Sequence, residues 1–103
     1  MDNPTVNIPI MNTWHHSINE KVIYYKLNNE FHRKNGPAII HYKDDNVEQE
    51  EYWINNNCHR ENGPAVIRYD ESGNITEEFY YLNGIEITDE FKIMVIRGLG
   101  MKL

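Results

Sequence analysis

The stretch HRKNGPAII, residues 32–40, returns 27 positions later as HRENGPAVI, residues 59–67. The match extends on both sides, from YKLNNEFHRKNGPAIIHY at 25–42 to YWINNNCHRENGPAVIRY at 52–69. A third copy starts at YYLNGIEI, residues 80–87, and stops before its own HRxNGPA phrase. Self-similarity at a nearly fixed period is typical of repeat architectures. The chain is therefore predicted to contain two full units, half of a third, and two unlike ends.

Within one unit the pattern is that of β-strands. PAVIRY and ITEEFYYL alternate in character, and the polar segment DESGN between them carries Gly73 and Asn74, which tolerate turn conformations. The preceding copy repeats this order with PAIIHY, KDDN and VEQEEYWI. Two strands joined by a short polar turn form a hairpin. The sequence thus predicts a mainly β fold in which repeated β-hairpins form a twisted antiparallel meander sheet.

The phrase HRxNGPA is interpreted as a structural joint between hairpins. Adjacent residues on a strand point to opposite faces, so the His and the Arg do not converge on one substrate. We expect Asn-Gly-Pro to turn the chain, each imidazole to hold a turn carbonyl, and each Arg to bind a carboxylate. The carboxylates considered are Glu50, Glu51, Glu77 and Glu78. The predicted structural joints are His32, Arg33, Asn35, Gly36, Pro37, His59, Arg60, Asn62, Gly63 and Pro64.

Aromatic residues recur at equivalent repeat positions and are expected to stack between units. Tyr25, Tyr52 and Tyr80 form one predicted ladder, and Trp53 with Tyr81 forms another. Packing is favoured over ligand recognition for such ladders, because aromatic rings dominate burial wherever they stack. The candidate partner surface consists of Trp14, Tyr25, Tyr52, Trp53, Tyr80 and Tyr81.

The two ends depart from the repeat, within what is predicted to be one domain over 1–103. Residues 88–99 are predicted to form a capping helix, with Thr88 as its N-cap and Gly98 near its end. Its predicted apolar stripe is Phe91, Met94, Val95 and Leu99. Residues 1–19 are predicted to form an N-terminal arm, which either covers the other edge of the sheet or reaches a partner. Residues 20–87 form the hairpin repeats.

The charge balance narrows the classes of partner. With 16 acidic and 10 basic residues among 103, the chain has a formal net charge of −6. Such a field repels a phosphate backbone, so nucleic-acid binding is not expected. It favours docking onto a basic protein surface. No apolar run approaches the roughly 20 residues that span a bilayer, and no signal peptide is recognised. A cytoplasmic location is expected, in the host cytoplasm if the protein is viral.

The residues with chemical potential lack a specific pattern. Cys58 is the single cysteine, which excludes an internal disulfide and a four-sulfur zinc site. Because the equivalent position in the first copy is Phe31, Cys58 is interpreted as a packing residue. The histidines show no helical i, i+4 spacing that would indicate metal ligation. They are His15, His16, His32, His41 and His59. We predict no catalytic residue, no metal and no cofactor.

The segments YWINNNCHRENGPAVIRY and EEFYYLNG resemble the MORN-like repeats of phages, giant DNA viruses and some bacteria. The resemblance covers about residues 20–87. Standard MORN repeats are shorter and carry a Tyr-x-Gly pattern that this chain lacks, so it resembles a relative of that family. The resemblance implies stacked antiparallel hairpins in an extended sheet and no catalytic residues. Members of the wider family are associated with scaffolding, self-association and sometimes membrane lipids, and some bacterial members are labelled antitoxins.

Three hypotheses of function follow from the sequence. The first is a non-enzymatic protein-binding module, acting as a small acidic viral or phage-type inhibitor of a host protein. The alternative is a structural module that self-associates into a homo-oligomer through its exposed sheet edges or its helix. An enzyme or a metal protein that uses the histidines is the third.

Overall fold

A computed structural model describes residues 8–98. Nearly all of this part of the chain lies in short strands and the turns between them. The strands are Ile10–Ser17 (β1), Glu20–Leu27 (β2), Glu30–Phe31 (β3), Ile39–Lys43 (β4), Asn46–Glu51 (β5), Trp53–Ile54 (β6), Asn57–Cys58 (β7), Val66–Tyr69 (β8), Ile75–Leu82 (β9) and Ile85–Ile87 (β10), and the helix is Glu90–Ile96 (α1).

The strands form an antiparallel sheet in the order β1-β2-β4-β5-β8-β9-β10, with β3 beside β2 and with β6 and β7 paired separately. Consecutive hairpins are therefore neighbours throughout, and the molecule measures 51 × 43 × 19 Å. The predicted fold class is confirmed: a mainly β meander of consecutive hairpins with one short C-terminal helix.

Four reversals of the chain are two-residue turns. These are Asn28-Asn29, Asp44-Asp45, Asn55-Asn56 and Asn83-Gly84, and both residues of each pair have positive φ. Positive φ at both central positions is the mark of the type I′ turn, which matches the twist of the flanking strands and favours Asn, Asp and Gly. The predicted turns in KDDN and DESGN are present, the second over residues 70–74, whereas Asn-Gly-Pro does not make a hairpin reversal.

The HRxNGPA phrase is instead a loop inserted into the returning strand of a hairpin. The carbonyl of Tyr25 accepts from the N–H of His32 at 3.1 Å, while the N–H of Tyr25 donates to the carbonyl of Ala38 at 2.8 Å. Tyr52 makes the equivalent bonds in the second unit. The return strand therefore leaves β2 after His32 and rejoins the same edge at Ala38.

A stacked arginine holds each loop closed. The Arg33 guanidinium carbon lies 4.0 Å from the centre of the Tyr25 ring, and its Nη1 donates to the carbonyl of Pro37 at 3.1 Å. On the other side lies Gly36, where an added Cβ would come within 3.1 Å of the same carbon. Arg60 repeats this arrangement. The two arginines were expected to bind carboxylates. Each instead stacks on a tyrosine ring and donates to a proline carbonyl.

Each loop also binds the turn of the following unit. Nδ1 of His32, whose residue is 5% exposed, accepts from the N–H of Asn55 at 3.0 Å. Nδ1 of His59 accepts from the N–H of Asn83 at 2.8 Å. Each imidazole thus accepts a hydrogen bond from a backbone amide in the turn of the next repeat. The partner expected from the sequence was a turn carbonyl. This contact fixes the spacing of successive units.

The ends differ in detail from the sequence-based expectation. Part of the predicted arm, Ile10–Ser17, forms strand β1 along β2. The helix N-cap is Asp89, whose carboxylate accepts from the N–H of Lys92 at 3.0 Å, and not Thr88.

The predicted stripe of the helix is not the buried one. Ile96 is buried, whereas Phe91, Met94 and Val95 are exposed. Leu99, the remaining member of the predicted stripe, lies outside the described residues. Ile96 is therefore the residue through which the helix buries apolar surface.

Replacing His32 by Phe should destabilise the protein. The ring volume is kept, but the N–H of Asn55 loses its acceptor at a mostly buried site. Leaving such a donor unpaired costs about 1–3 kcal/mol. Urea unfolding followed by circular dichroism measures the free energy of unfolding.

The matched control is His16→Phe, because the side chain of His16 is 61% exposed. Surface changes of this kind usually stay within about 0.5 kcal/mol. Equal stability of the two variants would show that the His32 contact does not hold the repeats together.

Candidate functional site: the aromatic face

The sheet has two faces of different character. Cross-strand partners share a face, and the chain of partners Tyr24–Ile39–Glu51–Val66–Phe79 runs across most strands. We call this side the aromatic face. Its rings are those of Trp14, Tyr24, Phe31, Trp53, Phe79 and Tyr81.

The six residues of the candidate partner surface are divided between the two faces. Trp14, Trp53 and Tyr81 lie on the aromatic face. Tyr25, Tyr52 and Tyr80 lie on the opposite face, where Arg33 and Arg60 cover the first two rings and Tyr80 is only 6% exposed. Of the predicted surface, half therefore remains accessible for a partner. Sequence analysis missed Tyr24, Phe31 and Phe79, although their alternation with the ladder residues places them opposite it.

Three rings of the aromatic face form a continuous row. The centres of Tyr24 and Phe31 lie 6.0 Å apart with the rings at 82°, and Phe31 lies 5.8 Å from Trp53. The ammonium of Lys26 lies over Tyr24 at 5.7 Å and over Phe31 at 5.0 Å. These are favourable edge and cation–π geometries. The row is therefore ordered by its own contacts while its rings remain half-buried.

Beyond Trp53 the face opens into a groove of about 620 Å³. The rings of Trp53, Phe79 and Tyr81 line it, together with the buried Cys58. Glu86 also lines the groove and is the direct cross-strand partner of Tyr81. Burial raises the pKa of the Tyr81 hydroxyl, and the nearby charge of Glu86 adds to this rise. The groove thus combines flat apolar walls with a carboxylate.

A hydrogen-bonded carboxylate forms part of the groove. One oxygen of Glu51 accepts from His41 and from Gln49, each at 2.8 Å, and the other accepts from the Trp53 indole at 3.0 Å. Burial alone would raise the pKa of Glu51, but the hydrogen bonds from His41, Trp53 and Gln49 outweigh it and lower the pKa. Glu51 is therefore held as an anion that accepts three hydrogen bonds from its neighbours.

The network continues along the sheet through an arginine. Nε of Arg68 donates to the Gln49 side-chain oxygen at 3.0 Å, and its Nη1 donates to Glu77 at 3.1 Å. The same guanidinium lies 5.4 Å from the centre of the Phe79 ring. These exposed contacts place the Arg68 side chain along the groove, between Gln49, Glu77 and the Phe79 ring. From the sequence, Glu51 and Glu77 were expected to be partners of the loop arginines.

Cys58 lies near Glu51 but is a poor nucleophile. Burial, with a smaller contribution from the charge of Glu51, raises the pKa of the thiol to about 12. The thiol therefore stays protonated near neutral pH, whereas nucleophilic cysteines react as thiolates. The arrangement of Cys58, Glu51 and His41 thus favours packing over covalent chemistry.

The remaining histidines do not assemble into a site. His15 and His16 lie on β1, and His32 and His59 belong to separate loops. Among residues 8–98, no three His, Cys, Asp or Glu side chains lie close enough together to hold a metal ion. Within the same range, no helix has the length and apolar character required to cross a membrane.

Comparison of the chain with family models, with curated proteins and with solved structures finds no match.

Replacing Glu51 by Gln should destabilise the protein near pH 7, by about 1–2 kcal/mol, because hydrogen bonds to a charged acceptor are lost. The pKa of Glu51 is lowered by folding, so its ionisation stabilises the folded state fully above the pKa of an unfolded Glu, about 4.3. This contribution disappears as pH falls through the lower folded-state pKa. The two proteins should therefore converge in stability toward acid, in urea unfolding from pH 7 to pH 3.

The control is Glu48→Gln on the same strand, where the side chain is exposed. We expect it to follow the wild type at every pH. A constant gap between Glu51→Gln and the wild type down to pH 3 would contradict the role assigned to the charged form.

Proposed function

We propose that this chain is a non-enzymatic protein-binding repeat module that takes a basic segment of its partner into the groove of the aromatic face. The observation that carries the proposal is the combination of the Trp53 and Tyr81 rings with Glu86 in one open groove. Trp and Tyr dominate binding energy at protein interfaces because they bury large areas with few rotatable bonds.

The rigidity of the groove supports binding. Trp53 is held by its indole hydrogen bond to Glu51 and by contact with Phe31. Arg68 is fixed between Gln49 and Glu77 beside the Phe79 ring. A surface whose side chains are already ordered loses less conformational entropy when a partner binds. The groove is thus preorganised for a partner.

Charge favours a basic occupant. The chain carries a formal net charge of −6. Glu51 already accepts three hydrogen bonds, and no salt bridge to Glu86 is present among residues 8–98. An Arg side chain of the partner can stack on the ring of Tyr81 and donate to Glu86, the geometry that makes Arg a common interface anchor. The same acidity speaks against a nucleic-acid partner.

The wider role that we propose is that of a small acidic inhibitor of a host protein, of viral or phage type, acting in the host cytoplasm. Its support is the small size, the net charge and the ordered aromatic face. The resemblance of the HRxNGPA units to MORN-like repeats, some of which are labelled antitoxins, points in the same direction. Inhibition requires only that the partner's basic segment be occupied.

Affinity capture from candidate host lysates, followed by mass spectrometry, tests the proposal. We expect wild-type protein to recover a partner with a basic segment, and Tyr81→Ala and Glu86→Lys each to weaken its binding at least tenfold, as for a central interface residue. Salt should weaken wild-type binding more than that of Glu86→Lys.

Two controls on other surfaces match these variants. Tyr42→Ala removes a half-buried ring from the opposite face, and Glu71→Lys reverses an exposed charge in a turn. Both should retain the partner. Recovery of no protein above background, or equal loss of binding in groove and control variants, would contradict the proposal.

A further inference from the structure

The last long strand of the sheet is only partly covered. In the first unit, β4 pairs with residues 20–24 of β2, and in the second unit β8 pairs with residues 49–51 of β5. On β9, which repeats this position, β10 pairs only with residues 80–82. Among residues 8–98, no strand pairs with the outer edge of 75–79. Residues 75–78 are accordingly exposed, whereas the equivalent residues of β2 are half-buried.

The opposite end of the sheet carries the complementary element. β1 pairs with β2 in the way that β4 pairs with β5 and β8 pairs with β9. It is therefore the equivalent of β4 and β8, which we call return strands because each runs back along the long strand of the preceding unit. No long strand precedes it within the described residues, and its outer edge has no partner strand there. One end of the array thus lacks a return strand, and the other end begins with one.

The backbone groups on the two edges are in phase. The N–H and carbonyl of Tyr25 point toward β3 and β4, and these groups alternate sides along a strand. Tyr24 and its partner Asn12 therefore bond to each other, and Thr13 and His15 direct their groups outward from β1. On β9, the carbonyl of Phe79 accepts from the N–H of Ala65 in the direction of β8, at 2.8 Å.

By the same alternation, Glu78 of β9 directs its N–H and carbonyl groups to the open edge. The register shift opposite Arg68 and Tyr69 makes Thr76 an extra residue of β9, a β-bulge at which the alternation does not continue. The regular part of the open edge is therefore 77–79, and Glu78 is its outward-facing residue.

The register inside the array defines how the ends fit. Thr13 pairs with Ile23 as Ile40 pairs with Glu50, so Thr13 is the counterpart of Ile40. Ile40 also pairs with Ile23 of the preceding long strand, and the counterpart of Ile23 on β9 is Glu78. Thr13 of a second copy therefore falls opposite Glu78. Trp14 then falls opposite Glu77.

In this register the outward-facing groups of one edge meet those of the other, and no like charges are opposed. We infer that β1 of one copy pairs with the open edge of β9 of another, so that the sheet continues head to tail. Such a contact is heterologous, and repetition of it produces open chains of molecules.

This inference concerns the strand edges and is independent of the partner proposed for the aromatic face, which remains free in the assembly. It gives a specific geometry to the self-association predicted as the alternative function. The contact involves about four residues on each strand, so it is far smaller than a stable interface and should depend on concentration.

Sedimentation velocity over a range of concentrations tests the inference with two proline variants. Thr13→Pro and Glu78→Pro each remove an outward N–H, and each should keep the protein monomeric. Wild type should form dimers and larger species as concentration rises. The matched controls Thr13→Ala and Glu78→Ala keep the N–H and should behave as wild type.

Mixing the two proline variants distinguishes this contact from others. Each variant retains one intact end, so the mixture should form a dimer of one copy each and nothing larger. A wild type that remains monomeric at every concentration would overturn the inference. So would normal association of Glu78→Pro, which would point to pairing of β1 with β1.

A disulfide test does not depend on the folding of the proline variants. In the inferred register Trp14 lies opposite Glu77 in a pair without hydrogen bonds, where Cα atoms come within disulfide range. Mixed Trp14→Cys and Glu77→Cys proteins should form a cross-linked dimer on oxidation. Trp14→Cys with Glu78→Cys, which points to the opposite face, should not. Cys58 is buried with its pKa raised to about 12 and stays unreactive. Equal cross-linking of both mixtures would overturn the register.

Discussion

The guanidinium stack inside each HRxNGPA loop is the interaction on which the repeat depends. Arg33 fills the space between the ring of Tyr25 and the backbone of Gly36, and its hydrogen bond to the carbonyl of Pro37 closes the loop. A planar cation is suited to this position because it stacks on a ring and donates in its own plane. With the loop closed, His32 reaches the turn of the next unit. A local contact thereby sets the distance between repeats, in a sheet with few buried side chains.

The two faces of the sheet consequently serve different purposes. On one face the repeated arginines cover the tyrosines and tie each unit to the next. On the other face the carboxylate of Glu51 gathers His41, Gln49 and Trp53, which orders the groove without covering the rings. The loop contacts and the proposed recognition surface therefore lie on opposite faces of a molecule only 19 Å thick.

The sequence predicted the architecture because repetition and alternation are local patterns. The copies of HRxNGPA revealed the period, and the alternating strands indicated a meander. The turns in KDDN and DESGN were predicted correctly, but the reversal within each unit was assigned to Asn-Gly-Pro, although the Asn28-Asn29 pair and its counterpart Asn83-Gly84 are a type I′ signature. Position 36 requires glycine because the side chain of Arg33 folds back against it. Neither this contact nor the Glu51 network follows from spacing, since both need the register of distant strands. The helix stripe was wrong because Ile96, and not Phe91 or Val95, is the buried residue of the helix.

The most direct test of this account is the effect of Gly63→Ala in two backgrounds. A Cβ at Gly63 would lie 3.0 Å from the guanidinium carbon of Arg60. In the wild type we expect the methyl group to cost about 1–3 kcal/mol of unfolding free energy, because the stack must move. In an Arg60→Ala background the same substitution should cost little, since the group that it meets is absent. Equal costs in both backgrounds, measured by urea unfolding, would contradict the claim that the stacked arginine organises the loop.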